Sequence, residues 1–209
     1  YESLSIDAKA LLATEKALLD SLLDEIIRLE TLEAELATFK TNNAVSLGLT
    51  TGTVTISDRN LVEVALSAYE SLSLDAKLLL ATEKALLDRL LVEIIRLEAV
   101  ALETVTFKED NAVVLTLIVN TVEISNKVIV EAALTAYDAL SDDAKLQLIQ
   151  EKALLDNLFV EIIRKETILL EISSFETNNG VALGLTVGTV SASDRSIVEE
   201  ALVAYENLS

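Results

Sequence analysis

The sequence predicts a mainly α protein made of tandem helical repeats, an elongated rod, and three observations carry that reading. The stretch Tyr69-Glu70-Ser71-Leu72-Ser73-Leu74-Asp75-Ala76-Lys77 also stands at Tyr1-Glu2-Ser3-Leu4-Ser5-Ile6-Asp7-Ala8-Lys9 and at Tyr137-Asp138-Ala139-Leu140-Ser141-Asp142-Asp143-Ala144-Lys145. Its first five positions return at Tyr205-Glu206-Asn207-Leu208-Ser209, so that starts at 1, 69, 137 and 205 are 68 residues apart. Next, 51% of the 209 residues are hydrophobic but only 4% are aromatic, so the apolar material is the Leu, Ala, Val and Ile of helix–helix packing. Last, the chain has no Pro and only 5 Gly, and long stretches carry apolar pairs at i, i+4 without a breaker. The repeats are 1–68, 69–136 and 137–204, with 205–209 opening a fourth.

Each repeat begins with a helix start. Ser5, Ser73 and Ser141 precede Asp7, Asp75 and Asp143 by two residues. A serine oxygen accepts a free backbone N–H, and a carboxylate in the first turn suits the positive end of the helix dipole. At Ser141-Asp142-Asp143 a calcium role is the alternative, but no EF-hand spacing accompanies it. A long helix follows, drawn in the second repeat from about Asp75 to about Phe107. The pairs 86/87, 90/91 and 94/95 make one broad apolar face, with Lys84–Asp88 and Glu93–Arg96 placed to pair on the surface. The repeats themselves grade burial. Leu11 and Leu79 correspond to Gln147, an exposed position, and Leu29 and Leu97 to Lys165, a rim position. Leu22/Leu90/Leu158, Ile26/Ile94/Ile162 and Ile27/Ile95/Ile163 are constant and read as core.

Past Phe39, Phe107 and Phe175 the pattern changes. Val45-Leu47-Leu49, Val113-Leu115-Leu117 and Val181-Leu183-Leu185 alternate as extended chain does. Gly52, Asn120 and Gly188 share the next fixed place, and Gly–Asn interchange is what a left-handed backbone position permits. Second arms run through Thr53-Val54-Thr55-Ile56 and its equivalents. The two arms pair as a small hairpin or cross the helices unpaired. Ser57-Asp58, Ser125-Asn126 and Ser193-Asp194 then start a short helix that ends near Leu72 in the second-repeat boundary and its equivalents. Tyr69 and Tyr137 close that helix, each a packing anchor with its hydroxyl left in water.

Composition narrows function. With 35 acidic against 16 basic residues the net charge is −19, the wrong sign for nucleic acid or an anionic membrane surface. No apolar run reaches the roughly 18 residues of a membrane span. Cys and His are both absent, which removes thiolate nucleophiles, most transition-metal sites and the usual neutral-pH acid–base group. The reading is therefore no enzyme, no cofactor, no nucleic-acid partner and no membrane insertion. Residue 1 is Tyr rather than Met, as expected of a mature fragment or a window cut from a longer chain.

The run Val130-Glu131-Ala132-Ala133-Leu134-Thr135-Ala136-Tyr137-Asp138-Ala139-Leu140-Ser141-Asp142-Asp143-Ala144-Lys145 resembles the helical repeats of bacterial cell-surface proteins. Many large Gram-positive adhesins and surface-layer-associated proteins carry units of the form V-E-A-A-x-x-A-Y-D-x-L-S-x-x-A-K. The likeness covers about half of each repeat. It departs in the Val/Leu-rich stretch with its Gly/Asn turn and in the lack of Pro. It implies a secreted or surface-displayed stalk of small helical bundles, and no catalytic residue comes with it.

Two arguments from the residues point to self-association. A repeat array touches only its neighbours, so a chain this apolar has more greasy surface than it can hide alone. The two ends are also out of phase: a long helix without its preceding short one, and a short helix without its following long one. Head-to-tail docking of such ends is a heterologous contact that builds filaments. The alternatives are a trimmed array whose ends carry no meaning, an adhesin-type module recognising a host or cell-wall protein or glycan, and an engineered scaffold.

Overall fold

The computed structural model describes residues 5–208; the first appearance of the tyrosine motif, at Tyr1 to Leu4, and the closing Ser209 lie outside them. The described residues are mainly helical and contain no strand. Twelve α-helices occur among them: α1 Ile6–Leu11, α2 Ala13–Asn42, α3 Ala44–Leu47, α4 Arg59–Glu70, α5 Leu74–Leu79, α6 Ala81–Asp110, α7 Ala112–Leu115, α8 Lys127–Asp138, α9 Asp142–Gln147, α10 Ile149–Asn178, α11 Gly180–Leu183 and α12 Arg195–Glu206. The helices α2, α6 and α10 are each 30 residues long and begin 68 residues apart.

The long helix is preceded by a one-residue interruption rather than running on from the capping serine. Leu80, at φ −103° and ψ 18°, separates α5 from α6, and Leu148 separates α9 from α10 in the same way. The bonding ladder still crosses the break, because Leu80 N donates to Ala76 O and Lys84 N to Leu80 O, each at 3.0 Å. Neither Gly nor Pro stands there; the interrupting leucine is fully buried in both cases. At the other end the helix is closed by Asn43, Asn111 or Asn179, whose side-chain amide donates to the carbonyl four residues back, Asn43 Nδ2 to Phe39 O at 2.8 Å. Such side-chain competition for a backbone partner is what ends helices at Asn.

The alternating stretches are corrected by the structure. Val45-Leu47 and Val113-Leu115 lie in the short helices α3 and α7, and Val181-Leu183 in α11. The buried residue is the one between the alternating pair: Ser46, whose hydroxyl donates to Asn43 O at 3.0 Å, and Val114. The hairpin does not form among the described residues. Extended backbone occurs at positions such as Thr55 and the adjoining Val122 and Glu123, and the chain crosses the helices with Val54 and Val122 buried beneath it. The left-handed reading of Gly52, Asn120 and Gly188 also fails, since no described residue has a positive φ. Thr53 N and Val54 N both donate to Thr50 O, closing a helical-type turn, and Asn120 lies in a short 3-10 segment, Val119–Thr121. A Cβ on Gly52 or Gly188 would meet nothing nearer than a threonine hydroxyl at 3.9 Å. Gly and Asn exchange there because the position is uncrowded.

The short helices start one residue later than Ser57 implies. A 3-10 turn, Ile56–Asp58, precedes α4, and its start is closed by a capping box in which Asp58 Oδ2 accepts from Thr55 N at 2.8 Å. Asn126 and Asp194 do the same for Glu123 and Ser191.

The chain divides into two compact units, 1–99 and 100–209, a division that coincides with none of the repeat boundaries. In the first unit Phe39, Val62, Ala65 and Tyr69 form a socket that buries Leu80 at the interruption and Leu87, Leu90 and Ile94 of the long helix after it. In the second unit Phe107, Val130, Ala133 and Tyr137 do the same for the interrupting Leu148 and for Leu155, Leu158 and Ile162 of α10. Each core is thus the tail of one repeat closed over the head of the next. Ile95 and Ile163, expected in the core, are 49% and 38% exposed; one step around the helix from Ile94 and Ile162 carries them off the buried face.

Candidate functional site

Where the short helix meets the long one, the structure gathers most of the residues singled out in the sequence. In the first unit Tyr69 ends α4 with its ring edge-on to Phe39, centroids 6.2 Å apart, and Lys84 Nζ stands 5.9 Å over its face. The hydroxyl is not left in water: it donates to Lys77 O at 2.8 Å, tying the end of α4 to the first turn beyond the joint. Lys77 Nζ returns the contact by donating to Glu70 O at 2.7 Å, one of the carbonyls a helix end leaves unpaired. Ser73 Oγ accepts from Ala76 N at 3.3 Å, the predicted cap, and donates to Glu35 Oε2 at 2.6 Å, while Ser73 N donates to Glu35 Oε1 at 2.7 Å. Asp75 pairs with Arg28 of α2.

The second unit repeats this arrangement with different surroundings. Tyr137 packs edge-on to Phe107 at 6.0 Å, donates to Lys145 O at 3.1 Å and lies under Lys152 Nζ. Lys145 Nζ donates to Asp138 O at 2.8 Å. Ser141 caps α9 through Ala144 N, and both its N and its Oγ donate to Glu103 Oε2, at 3.0 and 2.7 Å. Asp143 lies exposed in the first turn of α9. Gly52, Asn120 and Gly188 sit in the turns after the long helices and enter none of these bonds.

Electrostatics lock the joint further. The Ser73 hydroxyl and then its backbone N–H hold Glu35 below the usual carboxylate range, and Ser141 does the same to Glu103. Glu83 and Glu151 are lowered by hydrogen bonds from Lys40 and Lys108, which link one long helix to the next within each unit at 2.9 and 2.8 Å. Lys165, read as a rim residue, is half-buried and donates to Val122 O at 2.6 Å, so the third repeat's odd lysine satisfies the unpaired carbonyl of the crossing segment.

Sequence reading missed Glu35 and Glu103. Their signal was present: Glu35, Glu103 and Glu171 hold one fixed place within the half of the long helix that otherwise varies most. Beside each joint runs an open groove between the long helix and the following short one. It is about 720 Å³ where Thr31, Glu35, Phe39, Val64 and Leu72 line it, and about 570 Å³ where Glu103, Phe107, Ala132 and Leu140 do.

Chemically the joint holds chain against chain. Its hydroxyls and carboxylates are spent on each other and on backbone groups. Among the described residues no cluster of acidic side chains is arranged to hold a metal ion, and no helix is long and apolar enough to cross a membrane. No protein family, curated protein or solved structure matches the chain.

Proposed function

We propose that this chain is a structural repeat protein of a cell-surface or extracellular stalk or fibre that associates with itself. The observation that carries the reading is the joint, built twice from the same side chains, in which a short helix, a capping serine and a glutamate from the preceding long helix clamp one repeat onto the next. Such a clamp resists separation of neighbouring repeats, the property a stalk needs, and adds no chemistry of its own. The surface location rests on the resemblance of the Val130–Lys145 run to bacterial surface repeats.

Small-angle X-ray scattering of the dilute chain tests the reading. An elongated particle is expected, and a compact globular one would overturn it. The recurring groove beside the joint favours a second reading, an adhesin-type module that takes an extended peptide or glycan along its length. Screening the chain against peptide and glycan arrays separates the two, since a stalk alone captures nothing.

A further inference from the structure

Beside Glu35, Glu103 and Glu171 the same groove recurs between a long helix and the short helix after it. The middle one has a repeat before it and a repeat after it in the sequence, and it is open all the same. It also differs from the other two in its residues. Its α8 wall is apolar throughout: Ala132, Ala136 and Leu140 line it, and Val128, 74% exposed, continues the row one turn earlier. Asn60 and Ser196 hold the place of Val128 in the first and third copies, and Glu200 that of Ala132 in the third. The α6 wall is acidic. Asp110 lines the groove, and Glu109 stands next to it, about two turns beyond Leu102 on the same side of α6. Their equivalents are Thr41-Asn42 and Thr177-Asn178, so at these positions only the middle groove is charged. Both carboxylates are exposed, and neither has a hydrogen-bond or ion-pair partner among the described residues. No lysine or arginine lines the groove.

We propose that the groove between α6 and α8 binds an extended peptide segment of a partner protein in which basic and apolar residues alternate. An extended chain directs successive side chains to opposite sides, so its apolar residues cover Val128, Ala132 and Ala136 while its lysines or arginines reach Glu109 and Asp110. The lengths agree: Leu102 to Asp110 spans about 12 Å of helix, and four extended residues span about 13 Å. Between those two residues Thr106 offers a hydroxyl, unpartnered among the described residues, to a backbone group of the segment. Glu103, half-buried in the same wall, is committed to Ser141 and takes no part. A second copy of the chain is the wrong occupant for this groove, because it brings a net charge of −19 to a wall of carboxylates.

The inference rests on the second reading above, that the groove takes a peptide, and names the peptide's chemistry. Its test is fluorescence anisotropy of labelled peptides with the full chain at about 0.1 M salt, where attraction to net charge is screened beyond about 10 Å. The probes are an alternating leucine–lysine peptide, its leucine–glutamate counterpart and its serine–lysine counterpart. The first should bind saturably, and the other two should bind about tenfold more weakly or less. Glu109→Thr/Asp110→Asn, which installs the residues of the other two copies, should weaken leucine–lysine binding by roughly tenfold, as loss of two exposed ion pairs does. Asp24→Asn/Glu30→Gln, which removes the same charge from exposed positions of α2, should leave it unchanged. Equal weakening in both variants, or serine–lysine binding as tight as leucine–lysine, would mean attraction to net charge alone and would overturn the site. Leucine–glutamate binding as tight would overturn the choice of a basic partner while leaving a peptide groove. Absence of leucine–lysine binding would overturn the inference, and the peptide and glycan arrays would still judge the second reading by itself.

Discussion

Glu35 and Glu103 show how a single half-buried carboxylate contributes when its partner is a helix cap. Each accepts two hydrogen bonds from one serine, and those bonds favour the ionised form. A carboxyl whose folded-state pKa lies below its unfolded value stabilises the fold fully above the unfolded pKa. It loses that contribution as pH falls through the folded one. In Glu35→Gln and Glu103→Gln, urea unfolding should therefore show the stability gap to wild type at its widest near neutral pH. The gap should close as pH drops through and below the carboxylate range. A gap independent of pH would mean that the charge contributes nothing. The serine cap was legible in the sequence because it acts on backbone three residues away. Its glutamate was not, because the pair spans 38 residues and depends on where the long helix lies against the joint.

At the scale of the element, three leucines in one repeat position separate propensity from packing. Leu22, Leu90 and Leu158 sit at one place in three helices of equal length, yet only Leu90 and Leu158 are buried. Leu90→Ala and Leu158→Ala should each cost about 2–5 kcal/mol, the transfer term plus the cavity left behind. Leu22→Ala in the dilute single molecule should stay within about 0.5 kcal/mol of wild type, as surface changes do. Equal losses at all three positions would contradict the burial described. The helices themselves were readable from i, i+4 pairs and the absence of Pro. The short helices α3 and α7 were not, because four residues are too few to distinguish a period of 2 from one of 3.6, and the buried position was taken by Ser46 in one copy and Val114 in the next.

For the whole molecule, charge and apolar surface oppose each other. Each copy carries −19, so two copies repel, and the proposed self-association has to overcome that repulsion. Raising salt from about 0.01 to 0.1 M shortens the screening length from roughly 30 to 10 Å, so it should tighten self-association. Sedimentation equilibrium would read this as a lower dissociation constant, and weakening instead would mean that rim ion pairs outweigh net repulsion. The sequence by itself determined the helical class, the 68-residue recurrence and the serine starts, because these follow from local periodicity and short-range hydrogen bonding. Only the tertiary structure decided that the packed core joins the tail of one repeat to the head of the next. The same decision buried the tyrosine hydroxyl against a carbonyl eight residues on and left the Gly/Asn turns in ordinary backbone. Which copy of an identical pattern is buried depends on whether a neighbour is there to cover it, and local sequence carries no record of that.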